Sequence, residues 1–110
     1  MEPGVLQRDP TLAEIVRRLV DAYHPQRVYL FGSKARGDDG PDSDYDIMVV
    51  VEADAEPMHR RAVRAYRVLR GVRTAVDVVV WTREAFDSRL HLKASLPSAI
   101  VREGELLYAA

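Results

Sequence analysis

Two stretches of this sequence carry most of its information: FGSKARG at residues 31–37 and SDYDIMVVV at residues 43–51. The second ends in an apolar run of the kind that forms a β-strand buried on both faces. The first begins with an aromatic residue and continues into a Gly-Ser turn. A further apolar run, AVDVVVW at residues 75–81, contains Asp77. An acidic side chain inside such a run needs an explanation.

Length and composition indicate one compact globular domain, residues 1–110. The chain has 110 residues, of which 47% are hydrophobic and 30% are charged. This balance is typical of a folded domain and not of a disordered chain. We therefore predict a single core rather than two domains joined by a linker.

Charge and cysteine content exclude several classes of function. The net charge is −1, so no overall basic field attracts nucleic acid. The chain has no cysteine, which excludes disulfides and thiolate metal sites. It has no long apolar stretch and no signal-peptide pattern, so we expect a cytoplasmic protein without a membrane anchor.

Apolar periodicity and turn residues predict elements in the order α-β-α-β-α-β-α, with a short edge strand at the end. The first helix is expected to begin at Thr11, because Thr11 and Glu14 form a capping-box pattern, and to end before Pro25. The other expected elements are strands at 27–31, 45–51 and 74–81, one or two helical turns after Gly32, a helix at 58–72 with Met58, Ala62, Tyr66 and Leu69 inward, a helix capped by Thr82 that contains Phe86, Leu90 and Leu92, and a turn with an edge strand within 100–108.

The acidic residues of the second strand suggest a metal site. Residues two apart in a strand face the same side, so Asp44 and Asp46 project together and Tyr45 faces the other way. Two carboxylates this close repel each other unless a cation lies between them, and Mg²⁺ fits when triphosphate oxygens complete its coordination. Asp77, on a neighbouring strand, could supply a third ligand. In a two-metal site the ions lie roughly 4 Å apart, and Asp77 would bind the ion near the nucleophile.

The Gly-Ser turn suggests a phosphate site beside these acids. Gly32 has no side chain, so its backbone can approach a phosphate closely. The N–H groups of Gly32 and Ser33 would point at the β- and γ-phosphates at the start of a helix, with the Ser33 hydroxyl as a further donor. Lys34 or Arg36 could neutralise phosphate charge. Arg36 could equally pair with an aspartate of the following loop.

Each feature also has a purely structural interpretation. A Gly-Ser turn is usually only a turn, an Asp-x-Asp pair often marks a solvated strand end, and Asp77 could be a charge that protects a sheet edge. Their joint order and spacing favour a site. Other residues are interpreted as structural or solvated: Asp38, Asp39 and Asp42 in an exposed loop; His24, His59 and His91; the core residues Trp81 and Phe86; and the basic face formed by Arg60, Arg61, Arg64, Arg67, Arg70 and Arg73.

The pattern of Gly32-Ser33, then Asp44-Tyr45-Asp46, then Asp77 in an apolar strand resembles the nucleotidyltransferase fold of the DNA polymerase β superfamily. Within it, so short a chain looks like the minimal nucleotidyltransferases, or MNT proteins. The resemblance covers residues 11–81 well, and all motif positions are present. It implies an α/β (α+β) fold with a small mixed β-sheet flanked by helices.

The resemblance also implies an activity. In such proteins Gly32 and Ser33 would bind the triphosphate of ATP, and Asp44, Asp46 and Asp77 would bind two Mg²⁺ ions. Minimal members are commonly paired with a small helical HEPN protein in toxin–antitoxin modules. There the MNT protein is the antitoxin and transfers AMP from ATP onto a tyrosine of the toxin. We therefore expect a protein adenylyltransferase whose partner supplies the acceptor.

Two other functions fit the residues. One is an antitoxin that neutralises its partner by stoichiometric contact, through the basic helix face or the apolar helix around Leu90 and Leu96. The other is a nucleotidyltransferase that modifies a small molecule such as an aminoglycoside, although no second deep pocket is expected. The residues do not determine the acceptor, the base of the nucleotide or the oligomeric state. An exposed apolar helix would be compatible with a homo-oligomer.

Overall fold

A four-stranded mixed β-sheet with helices on both faces forms the centre of the fold. The structure is a computed structural model and describes residues 5–37, 44–53 and 58–110. Its elements, in chain order, are α1 (Val5–Arg8), α2 (Pro10–Tyr23), β1 (Arg27–Phe31), α3 (Ser33–Arg36), β2 (Tyr45–Val51), α4 (Met58–Val68), β3 (Val76–Thr82), α5 (Arg83–Asp87), α6 (Leu96–Glu103) and β4 (Glu105–Ala109).

The strands lie in the order β3-β2-β1-β4. β1 is antiparallel to both β2 and β4, whereas β2 and β3 are parallel and are connected through α4. Parallel strands begin at the same edge of a sheet, so the first residues of β2 and β3 lie side by side. The predicted small mixed sheet flanked by helices is therefore confirmed.

Two apolar cores cover the two faces of the sheet. In β2, alternate residues supply opposite cores: Ile47 and Val49 belong to the larger one, and Met48 and Val50 to the smaller one. The strand is buried on both faces, as its apolar run predicts. The larger core adds Leu12, Ile15, Val16, Leu19 and Tyr23 of α2, and the smaller core adds Tyr29, Phe86 and Ile100.

The start of α2 differs from the prediction. The helix begins at Pro10, and the side chain of Asp9 accepts a hydrogen bond from the Leu12 N–H at 3.0 Å. The predicted capping box at Thr11 is wrong, because Glu14 binds arginines of the next turn instead of reaching back. Aspartate followed by proline at the first helical position is itself a strong start signal. The other Asp9 oxygen accepts from the Tyr45 hydroxyl at 2.6 Å and so ties α2 to β2.

The inward face of α4 also differs from the prediction. Arg61, Ala65 and Leu69 are buried at four-residue spacing, whereas Tyr66 is 56% exposed. The predicted inward direction of Tyr66 is therefore wrong by one helix position, which is a rotation of about 100°. The predicted helix also extended to residue 72, but α4 ends at Val68. The side chains of Met58 and Ala62 lie outside the description.

The C-terminal third contains two helices where one was predicted. Thr82 caps α5 as predicted, since its hydroxyl accepts from the Ala85 N–H at 3.2 Å. α5 ends at Asp87, so the predicted inclusion of Leu90 and Leu92 is wrong. A new helix, α6, follows, with Ser95 as its cap, and the edge strand β4 completes the sheet as predicted. The predicted loop at 38–43 lies outside the described residues.

No helix in the described segments is both long enough and apolar enough to cross a membrane.

Candidate active site

The candidate carboxylates meet at one edge of the sheet, where β2 and β3 begin. Asp46 of β2 lies directly opposite Asp77 of β3 in the parallel register. Neighbouring strands are about 4.8 Å apart, so the two side chains leave the sheet side by side. Asp44 immediately precedes β2 and is exposed, as is Asp77, whereas Asp46 is half-buried. All three predicted acids therefore lie at the same strand-start edge.

The alternation of β2 fixes the face on which the carboxylates lie. Tyr45 packs into the larger core, and its hydroxyl is held by Asp9. Asp46 therefore shares the opposite face with Met48 and Val50, which belong to the smaller core. The burial of Tyr45 orients the acids on both sides of it. A single strand thus serves the core with one side chain and the candidate site with the next.

The electrostatic environment of Asp46 disfavours its charged form. Burial raises the pKa of the Asp46 carboxyl, and the negative charges of Asp77 and then Asp44 raise it further. The positive charge of Arg36 acts in the opposite direction and lowers this pKa in part. A bound cation would relieve the repulsion among the three carboxylates.

Gly32 brings the backbone of the Gly-Ser turn against this carboxylate. A Cβ built on Gly32 would lie 2.2 Å from Oδ2 of Asp46, far inside van der Waals contact. Gly32 also has φ of 75° and ψ of −158°, a conformation that is essentially restricted to glycine. Both observations require glycine here. They also place the proposed phosphate turn directly beside the proposed metal ligand.

The short helix α3 provides backbone donors after Gly32. Its first internal bond runs from the Arg36 N–H to the Gly32 carbonyl at 3.1 Å. The N–H groups of Gly32 and Ser33 come before that bond along the chain, so the helix itself supplies them with no acceptor. α3 is a single turn of four residues, and its dipole is correspondingly small. Any phosphate contact would therefore depend on these individual donors more than on the dipole.

The two candidate cations of the turn lie in different places. The Lys34 ammonium lies over the Tyr45 ring, 4.5 Å from its centroid, and Tyr45 faces away from the carboxylates. Arg36 is close enough to Asp46 to lower its pKa. The structure therefore brings Arg36 to the acids but leaves Lys34 on the other side of β2. The predicted alternative partner of Arg36, an aspartate of the next loop, lies outside the described residues.

A cleft of about 430 Å³ opens beside Asp44 and Asp77. Residues of α4, of the turn that follows it and of the start of β3 form its other walls. Sequence analysis missed this cleft because it placed Tyr66 in the core. The spacing of Ala65 and Leu69 could have indicated it, since an inward stripe through those residues leaves Tyr66 outside. The remaining wall residues are Tyr66, Leu69, Val72, Thr74, Ala75 and Val76.

The carboxylates fit a hard divalent cation by their chemistry. Carboxylate oxygens are the ligands that Mg²⁺ prefers, and the mutual repulsion at Asp46 is the kind of strain that a cation removes. Within the described residues, no three acidic or histidine side chains are already gathered into a ready metal-binding group. Asp44, Asp46 and Asp77 are therefore adjacent carboxylates whose side chains would have to converge to hold a cation.

Comparison with known proteins identifies the family to which the fold belongs. Residues 10–106 match the family described as "Nucleotidyltransferase domain". A search of curated proteins finds no match. A crystal structure of a putative nucleotidyltransferase from Sulfolobus solfataricus is similar, with 26% identity, a TM-score of 0.65 and coverage of 91% of this chain and 78% of that one.

Two toxin–antitoxin structures are also similar. One is a toxin–antitoxin solved with AMP-PNP, with 29% identity, a TM-score of 0.65 and coverage of 89% of this chain and 73% of that one. The other is a mutant of the toxin–antitoxin MntA-HpeT, with 26% identity, a TM-score of 0.62 and coverage of 90% and 72%. The resemblance to minimal nucleotidyltransferases is thereby confirmed. With a family match across nearly its whole length, the chain belongs to the nucleotidyltransferase domain family.

Proposed function

We propose that this protein is a Mg²⁺-dependent adenylyltransferase that transfers AMP from ATP to a partner protein. The observation that carries the proposal is the position of Gly32 against Asp46, with Asp77 next to Asp46 in the sheet register. A phosphate-binding turn and adjacent carboxylates at one strand edge are the parts that phosphoryl-type transfer needs. The family match and the similar structure solved with AMP-PNP support the same activity.

Each site residue has a proposed role. Gly32 and Ser33 would hold the β- and γ-phosphates through backbone N–H groups, with the Ser33 hydroxyl as a further donor. Arg36 would offset phosphate charge, and Lys34 could do so only after leaving the Tyr45 ring.

Asp44, Asp46 and Asp77 would hold two Mg²⁺ ions. When bound, Mg²⁺ would neutralise phosphate charge and lower the barrier for an attacking hydroxyl. Asp77 would also accept the proton of that hydroxyl, a role that its exposure at the rim of the cleft supports.

The proposed partner is a small helical protein of the HEPN type, which makes this chain the antitoxin of a toxin–antitoxin module. Two of the similar structures are toxin–antitoxins, which supports a protein acceptor over a small molecule. The cleft beside Asp77 is open to solvent and leaves room for an acceptor that another chain supplies. ATP is the proposed donor.

The test is transfer of label from α-phosphate-labelled ATP to a co-expressed neighbouring protein in the presence of Mg²⁺. The Asp44→Asn/Asp46→Asn variant should lose at least about 100-fold in rate, because metal-assisted charge stabilisation contributes several kcal/mol. Asp21→Asn is the matched control, since Asp21 is an exposed aspartate of α2 away from the site. Transfer that survives in the folded double variant would overturn the proposal.

A second candidate is an antitoxin that acts by stoichiometric contact alone. Val101 of α6 and Leu106 of β4 are each 52% exposed, and such apolar side chains could form a contact surface. This candidate predicts that the Asp44→Asn/Asp46→Asn variant still protects cells from the toxin. A co-purified complex without any labelled partner would favour it over enzymatic transfer.

A further inference from the structure

The fold defines the side from which a nucleophile must approach, an argument that rests on the proposed function. The proposed phosphate turn follows β1, the carboxylate Asp46 begins β2, and Asp77 begins β3. Because the strand order is β3-β2-β1, Asp46 lies between the turn and Asp77. In phosphoryl transfer, the attacking and leaving oxygens are roughly in line. With pyrophosphate held at the turn, the attacking group must come from the β3 side.

The cleft occupies that side and contains a phenol of this chain. It is lined by Asp44 and Asp77 at the strand starts and by Tyr66 of α4. Tyr66 is 56% exposed, so its ring is accessible to a ligand in the cleft. The hydroxyl of Tyr66 makes no hydrogen bond to any of the residues that the structure describes. A phenol therefore lines the same cleft as Asp44 and Asp77, two of the three candidate carboxylates.

Comparison of the five tyrosines isolates Tyr66. Tyr23, Tyr29 and Tyr45 are each only 8% exposed. Their hydroxyls are also engaged: that of Tyr23 donates to the Arg61 carbonyl, that of Tyr45 donates to Asp9, and that of Tyr29 accepts from Arg27.

Tyr108 is half-buried and lies in β4, at the opposite edge of the sheet from β3. Only Tyr66 combines exposure, an unengaged hydroxyl and a place beside the carboxylates. Tyr108 is therefore the natural control.

We propose that Tyr66 is a self-modification site: without a partner, the protein transfers AMP to its own Tyr66. The bond between the Tyr66 Oη and the α-phosphorus of ATP forms, and the bond from that phosphorus to pyrophosphate breaks. Pyrophosphate leaves with the electron pair from the Gly32-Ser33 side. The phenol proton leaves to solvent water. The product is an AMP-tyrosine that occupies the acceptor cleft.

The test uses the purified full chain, α-phosphate-labelled ATP and Mg²⁺, with no partner present. Intact mass should show one added AMP per chain, and peptide mapping should place it on Tyr66. Tyr66→Phe should reduce self-labelling to the background of the Asp44→Asn/Asp46→Asn variant. Tyr108→Phe should label as the wild type does. A folded Tyr66→Phe that still labels, or label mapped to another residue, would overturn the inference.

A parallel reaction with the co-expressed partner separates this inference from the proposed function. If the wild type labels the partner but not itself, self-modification is wrong and the adenylyltransferase stands. If neither protein is labelled, both proposals fail. If the unpartnered chain labels Tyr66 and pre-labelled chain then modifies the partner at least about 10-fold more slowly, the cleft is shared by both acceptors, as this inference requires.

Discussion

Gly32 and Gly104 lie in two different regions of the molecule, and neither has room for a Cβ atom. A Cβ at Gly32 would lie 2.2 Å from Oδ2 of Asp46, whereas a Cβ at Gly104 would lie 2.6 Å from the carbonyl oxygens of both Leu30 and Ile100. The neighbour of Gly32 is the end of a side chain in the candidate site. The neighbours of Gly104 are main-chain atoms of β1 and α6, which hold the sheet together.

The difference separates a glycine that serves function from one that serves folding. The Asp46 carboxylate can rotate away from an added methyl group, so the damage falls on the geometry of the site. The backbone around Gly104 cannot move without disturbing the α6–β1 packing, so the damage falls on the fold. Substitutions at the two glycines, at Arg61 and at Glu14 test how far function and folding are separated in this chain.

The largest effect is expected for Gly32→Ala. Displacement of Asp46 by about 1 Å should reduce AMP transfer about 100-fold. The backbone conformation of Gly32 should cost a further 1–3 kcal/mol or so of unfolding free energy. Transfer kinetics would measure the loss of rate, and urea denaturation would measure the loss of unfolding free energy. Transfer at the wild-type rate would contradict the placement of Gly32 in the site.

The second-largest effect, a loss of stability, is expected for Gly104→Ala. Overpacking against two carbonyl oxygens should reduce the unfolding free energy by about 1–3 kcal/mol. ATP affinity of the folded fraction should stay at the wild-type value, because Gly104 does not touch the candidate site. Chemical denaturation and nucleotide titration together would test this. A variant that keeps its stability but no longer binds ATP would reverse the contrast between the two glycines.

A smaller effect, an increase in the unfolding free energy, is expected for Arg61→Met. Arg61 is only 8% exposed, and its Nε and Nη1 atoms have no hydrogen-bond partner among the residues that the structure describes. Two buried guanidinium nitrogens without partners cost free energy, so an apolar chain of similar length should raise the unfolding free energy by about 1 kcal/mol. The neighbouring exposed residue provides the control, and Arg60→Met should change stability by less than about 0.5 kcal/mol. Destabilisation by Arg61→Met would instead mean that the guanidinium has an anionic partner.

The smallest effect concerns Glu14 on the exposed side of α2. Hydrogen bonds from Arg17 and then Arg18 lower the pKa of Glu14 from 4.5 to about 2. A carboxyl whose pKa is lower in the folded state stabilises the fold above its unfolded pKa. That contribution should fade as the pH falls from about 4.5 to about 2. Glu14→Gln should flatten this part of the stability–pH curve slightly, and an unchanged curve would show that the exposed pairs contribute nothing.

Strong apolar runs made part of the fold predictable from sequence. The bounds of β1 and β2 agree with the prediction, because each run is buried and ends at a turn residue. The meeting of Asp46 and Asp77 was also expected, since both acids open apolar strands.

The start of α2 and the position of Lys34 were harder to predict from sequence, because local signals compete or are absent there. Asp9-Pro10 and Thr11-Glu14 are both helix-start patterns, and the first is further stabilised by the Tyr45 hydroxyl, which lies 36 residues further along the chain. The position of Lys34 depends in the same way on the Tyr45 ring, which a local pattern cannot show.

The pairing of β4 with β1 also has a consequence for biosynthesis. β1 is an inner strand only after residues 105–109 have joined it, and until then one of its edges is unpaired. Ribosomes add about 5–20 residues per second, so the nascent chain carries this open edge for on the order of ten seconds after β1 is made. Unpaired strand edges template aggregation. Synthesis of β4 is therefore the step that covers the open edge of β1 and prevents nascent chains on the same polysome from pairing through it.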